Sequence, residues 1–173
     1  PEEEKYLQTE AEMREELVTF LAGRAAEAIK FDTVTTGASN DIEQATRMAR
    51  AMVTMYGMSK EMGMVALESV QNRYLDGRSV MNCSEETATQ IDNEVREMMK
   101  VSYQKAYDLL KENEHVLDVL AAYLIEKETI TGKEFMKIFE EATGIALKEV
   151  VTEKNQETSV EESNEVIDRA DTD

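Results

Sequence analysis

Several building materials are scarce in this sequence. One proline and seven glycines in 173 residues leave few places for tight turns and hairpins, so a β-rich fold has little support. One cysteine, Cys83, excludes an internal disulfide. With one histidine, His115, the chain also cannot assemble a His- or Cys-based metal or catalytic cluster unaided. Bases are scarce too: 19 Lys plus Arg stand against 37 Asp plus Glu, a formal charge of -18. Such a surface repels a phosphate backbone and argues against nucleic-acid binding. No apolar run approaches the roughly 18 residues that cross a bilayer, and no charged-then-apolar leader precedes the first helical pattern, so the chain is expected to be soluble. It opens on Pro1, in an acidic stretch (PEEEKYLQTE), which suggests a fragment or a processed chain.

What is present is helical periodicity. Thr9 and Glu12 have capping-box spacing and open a helix that carries Met13, Leu17, Phe20, Leu21 and Ala28 inward and ends near Ile29 or Lys30. The next ten residues, FDTVTTGASN, read as an extended segment turning into a helix N-terminus. A second helix runs from about Asn40 to Tyr56, with Gly57 as its stop. Residues 58–83 lack a sustained period and contain Gly63, Gly77, Asn72, Asn82 and a short VALESV run, so the segment reads as a loop with room for one short hairpin. From Ser84 to about Asn113 no Gly or Pro occurs, and Ile91, Val95, Met98, Ser102, Ala106 and Leu109 recur at helical spacing. That predicts one helix of about 30 residues, roughly 45 Å long. A shorter helix with Leu117, Leu120, Ala121 and Leu124 on one face follows the break at Asn113, which predicts a helical hairpin. Thr131 and Glu134 repeat the capping-box spacing and open a last helix with Phe135, Ile138, Phe139 and Ala142, stopped by Gly144. The fold class is therefore all-α, a mainly helical bundle. Residues 1–144 form its folded part, still at 28 acids against 16 bases, and residues 145–173 an acidic tail expected to be disordered.

Asp41 is the residue that most invites explanation. It lines up with Ala45, Met48, Met52 and Met55 and so heads an apolar stripe. A carboxylate aimed toward a core needs a partner. Either the exposed amides and dipole of the first helical turn suffice, or Asp41 meets a cation, an arginine or a metal ion. Glu27 raises the same question on the inward side of the first helix, where Arg24 is its expected partner and a metal or catalytic role the weaker alternative. Gly23, inside that helix, costs about 1 kcal/mol relative to alanine, for which close approach of another backbone would be the return. His115 falls on the solvent face, the methionines read as adaptable core packing, and Cys83, with no histidine near it, as a free, non-catalytic thiol.

Four stretches together, GRAAEAIKF (Gly23 to Phe31), VTTGASNDIEQATRMARAMVTMYGMS (Val34 to Ser59), ETATQIDNEV (Glu86 to Val95) and LIEKETITGKEF (Leu124 to Phe135), resemble the peptidase domain of the FtsH-type membrane-anchored, ATP-dependent zinc metalloproteases. In that family a HExxH helix provides two histidine ligands and the glutamate that activates water, and the aspartate of the TGAxND segment is the third zinc ligand. The resemblance assigns that role to Asp41 and implies that Gly23 lets the first helix pack closely on the HExxH helix. It further implies zinc as cofactor, ATP only through a separate AAA+ ATPase module, unfolded or membrane proteins as substrates, a homo-hexamer, and a parent protein anchored on the cytoplasmic side of the plasma membrane.

These 173 residues contain no HExxH and no nucleotide-binding loop, so the expectation is a C-terminal part of the peptidase domain, inactive alone, that supplies the aspartate ligand and ring-packing helices. The alternative is a non-enzymatic acidic interaction or adaptor module.

Overall fold

The computed structural model describes residues 7–70 and 79–144. Five helices and one two-stranded antiparallel sheet make up the described residues, a mainly α architecture that divides into two units between Glu112 and Asn113.

In the first unit, α1 (Glu10–Phe31) starts on the expected box: the Thr9 hydroxyl accepts from the Glu12 amide, and the Glu12 carboxylate accepts from the Thr9 amide. Two orphan donors of the helix N-terminus are thereby satisfied. A single 3-10 turn, Thr36–Ala38, leads into α2 (Ser39–Thr54). The chain leaves α2 through Gly57, whose φ of 66° lies in the left-handed region that glycine adopts without steric cost. A β-carbon at Gly57 would also lie 3.4 Å from the Met64 backbone. The expected short hairpin is present as β1 (Glu68–Val70) and β2 (Ser79–Met81), with Ser69 opposite Val80. Then α3 (Glu85–Glu112) runs 28 residues, begun by Ser84, whose hydroxyl accepts from the Thr87 amide.

One core holds these pieces. Met13, Leu17 and Leu21 of α1, Ala45, Ala49, Met52 and Val53 of α2, and Ile91, Val95 and Met98 of α3 pack together with Leu67 from the hairpin stem. Small Ala45 and Ala49, one turn apart and fully buried, let α2 approach its neighbours closely. Polar ties surround the core. Arg50 of α2 reaches Asp92 of α3 at 2.6 Å, and the buried Thr54 hydroxyl lies 2.8 Å from both the Arg50 carbonyl and Glu68 Oε2. The Leu67 amide donates to the Thr54 carbonyl, so the hairpin is held to the end of α2.

Three expectations about inward-facing residues need correction, and a fourth concerns Gly23. Met55 caps the C-terminus of α2 and is 40% exposed, because the helix ends before the stripe reaches it; Ala49 and Val53 complete the buried face instead. Leu109 is 47% exposed, so the buried stripe of α3 stops at Ala106. Ala28 is only partly buried, and Ala25 fills the inward position. Around Gly23, an added β-carbon would meet nothing within 4 Å, so the return for this glycine does not come from the described residues; the HExxH helix that the resemblance places against it is not among these 173 residues.

The second unit contains α4 (Glu114–Lys127) and α5 (Gly132–Thr143), which pack on each other. Asn113 is the non-helical residue before α4. α5 opens on the expected box of Thr131 and Glu134, and Glu134 also accepts from the Tyr123 hydroxyl of α4 at 2.9 Å. These bonds favour the charged carboxylate, and the Thr131 hydroxyl and amide, followed by Tyr123, hold the Glu134 carboxyl below its usual range. Phe135 stacks on Phe139, and Gly144, with φ 71°, stops the helix. Neither predicted stripe forms a buried face: Leu124 is exposed, no α5 residue is buried, and Val116 is the buried residue of α4. The acidic tail, residues 145–173, lies outside the described residues.

Candidate metal-ligand site

The site begins where α1 ends. Its C-cap, Asp32, has φ 48°, a left-handed conformation that a short polar side chain tolerates. The reversal brings Thr35 back beside Glu27 on the last turns of α1. There the Thr35 hydroxyl donates to Glu27 Oε1 at 2.5 Å, and the Thr35 amide lies 3.4 Å from Oε2. Arg24 Nη1 donates to the same Oε2 at 3.2 Å, as the helical spacing predicts. The Thr35 hydroxyl is the largest of the influences that hold the Glu27 carboxyl below its usual range, followed by the Thr35 amide and opposed by desolvation, with Arg24 a smaller aid. Glu27 is thus an internal anchor with its oxygens committed.

Thr35 also looks forward along the chain. Its oxygen accepts from the Gly37 amide at 3.1 Å and caps the 3-10 turn. Glycine suits this position because an added β-carbon would press to 3.3 Å from the Thr35 hydroxyl, while touching Glu27 Oε1 at an ordinary 3.6 Å. Ala38 closes the turn and is buried. α2 follows without a side-chain cap of its own: its N-cap residue is Ala38, which offers no side-chain acceptor.

Asp41 is the third residue of α2 and the acid of its first turn. It stands one turn before the fully buried Ala45, on the same side of the helix, and is itself partly buried. Among the described residues, no hydrogen bond or ion pair engages its carboxylate. The arrangement leaves a negatively charged oxygen donor at a helix N-terminus, where amide dipoles favour it, with both oxygens available to a hard or borderline cation. In that sense the residue fits a zinc ligand. Among the described residues, no group of three His, Cys, Asp or Glu side chains comes together to hold a metal ion. His115 is exposed, as its place on the wheel predicts, and its Nε2 donates to the Ala142 carbonyl at 3.0 Å. Cys83 is a free thiol packed against the first unit's core. No helix among the described residues is long and apolar enough to cross a membrane.

Thr35 is the residue that sequence reasoning passed over. Its contact with Glu27 spans eight positions across a chain reversal, beyond the three- and four-residue rules that expose the Arg24 pair. The left-handed Asp32 that creates the reversal has no glycine to announce it.

Comparison with known proteins adds a family. The profile of peptidase family M41 matches residues 1–138. An ATP-dependent zinc metalloprotease FtsH of Clostridium perfringens is 53% identical over 138 residues, 80% of this chain and 19% of the relative. Its namesake in Lancefieldella parvula is 46% identical over 162 residues, 93% of this chain and 25% of that one. ATP-dependent zinc metalloprotease FtsH 3 of Petrotoga mobilis is 40% identical over 169 residues, 96% and 26% respectively. The chain thus spans about a fifth to a quarter of the length of these curated relatives.

Proposed function

Because this chain belongs to peptidase family M41, we propose that it is the helical part of the peptidase domain of an ATP-dependent zinc metalloendopeptidase, with Asp41 as the acidic zinc ligand. The observation that carries the assignment is the Asp41 carboxylate itself: partly buried, on the core-facing side of α2, and engaged by no hydrogen bond or ion pair among the described residues. Among the described residues no buried side-chain oxygen lacks a partner, so the unengaged Asp41 oxygens reach solvent, where they are open to a cation. When bound, zinc supplies Lewis-acid polarisation of a carbonyl and a bound water of lowered pKa. The chain's own part is to hold one anionic oxygen donor at the start of a helix that, along the same face, is locked in the core by Ala45 and Met52.

The remaining ligands and the general base belong, on this reading, to a HExxH helix in the complete protein. The ATPase module, the membrane anchor on the cytoplasmic face, the hexameric ring and unfolded or membrane protein substrates are proposed with it, supported by the relatives' names and the sequence resemblance. The match to residues 1–138 supports a peptidase part that extends to about residue 144 with an acidic tail beyond. The family match does not favour an acidic adaptor module.

One donor does not hold zinc tightly, so the 173-residue chain alone is expected to retain no stoichiometric zinc after dialysis, and to show no proteolysis. Elemental analysis of the dialysed chain checks this; one tightly held zinc per chain would refute the incomplete-site reading.

A further inference from the structure

We propose that Thr35 is a positioning residue for the metal site, joining Glu27 of α1 to the turn that launches α2 and so setting where Asp41 stands. The inference rests on the reading of Asp41 as a zinc ligand. Its basis is an asymmetry between helix starts. α1 and α5 carry full capping boxes, whereas α2, like α4, has no side-chain cap, and α2 alone begins on a residue, Ala38, whose side chain could not supply one. The start of α2 is instead fixed by the 3-10 turn before it, and that turn is capped by Thr35. Thr35 in turn is fixed by Glu27 through its hydroxyl at 2.5 Å. The line of contacts is therefore Arg24, Glu27, Thr35, Gly37, and then three residues of rigid turn and helix to the Asp41 carboxylate. A β-carbon at Gly37 would press on the Thr35 hydroxyl at 3.3 Å, so glycine keeps this line of contacts uncrowded.

A loop held only by its ends would let the first turn of α2 fray, as uncapped helix starts do. Metal affinity depends on the ligand oxygen standing within a few tenths of an ångström of its bonding position, and supporting contacts of ligands commonly carry a ten- to hundredfold share of that affinity. Neither Glu27 nor Thr35 is hydrogen-bonded to Asp41, so their contact acts on the ligand through the backbone of the turn, at the lower end of that range.

The test uses the complete protein and zinc itself, with affinity read by competition against a chelator of known strength. Thr35→Val keeps the shape and removes the hydroxyl; zinc affinity is expected to fall roughly tenfold. Thr35→Ser restores the hydroxyl and is expected to restore affinity. Hydrogen exchange should report faster exchange of the Gly37 amide in Thr35→Val and not in Thr35→Ser. Thr9→Ala, which removes the cap at the far end of α1, serves as a destabilised control with unchanged zinc affinity. Should Thr35→Val fail to fold, Glu27→Gln, which keeps size but gives up the charge, carries the same expectation in milder form. Full zinc affinity in the folded Thr35→Val or Glu27→Gln protein, or an equal loss in Thr9→Ala, would overturn the proposal while leaving the ligand assignment intact. Full affinity in Asp41→Ala would overturn the ligand assignment instead.

Discussion

Replacing Asp41 with alanine in the complete protein is expected to abolish proteolysis, by at least about a thousandfold, while ATP hydrolysis stays largely unchanged. The loss corresponds to about 4 kcal/mol of transition-state stabilisation. The reason is local. Asp41 touches no described hydrogen-bond or ion-pair partner, so its removal breaks no described bond of α2, and Ala45, Ala49, Met52 and Val53 still bury their side chains. What disappears is an anionic oxygen at the helix N-terminus, and with it a zinc ligand. Asp41→Asn separates charge from shape: it keeps an oxygen in place, and is expected to bind zinc more weakly than the parent but better than Asp41→Ala. Protease assays on an unfolded protein substrate, run beside ATPase assays on the same preparations, give the comparison. Parallel loss of both activities would point to unfolding, and retained proteolysis would refute the role of Asp41.

Leu17→Ala is expected to remove about 2–5 kcal/mol of stability, among the largest effects of a single core truncation in the first unit. Leu17 is 0% exposed within the cluster that joins α1, α2 and α3. Truncating it loses the transfer free energy of the deleted atoms and opens a cavity that three helices close on only partly. Domain stability is typically only 5–15 kcal/mol, so the change takes a large fraction of it. A urea titration that follows helical signal should show a lower midpoint with an unchanged slope. Phe31→Ala is the contrast. Phe31 is equally apolar but 72% exposed at the end of α1, so its truncation should stay within about 0.5 kcal/mol.

The helices themselves were readable because their signals are local. Thr9 with Glu12, and Thr131 with Glu134, are bonded as their spacing predicts, and Ile91, Val95 and Met98 recur every three or four residues and are buried. Asp41 too was legible, as a carboxylate in line with Ala45 on a face that proved to be core. The misses share a different physics. Met55 and Leu109 continue their stripes in register, but a helix that ends at Thr54 and a core that runs out beyond Ala106 leave them exposed, and periodicity does not encode where packing partners stop. The stripes of α4 and α5 illustrate the same limit, since apolar spacing marks a face without naming what covers it. The Thr35 anchor was invisible because it depends on a non-glycine residue, Asp32, in a left-handed conformation.

The zinc ligand set can be read directly by X-ray absorption at the zinc edge, comparing the complete protein with its Asp41→Cys variant. A thiolate placed at a true ligand position bonds zinc at about 2.3 Å, distinct from the roughly 2.0–2.2 Å of nitrogen and oxygen donors. The account predicts one sulfur scatterer per zinc in Asp41→Cys and none in the parent. Zinc held stoichiometrically in the variant with only nitrogen and oxygen neighbours would contradict it.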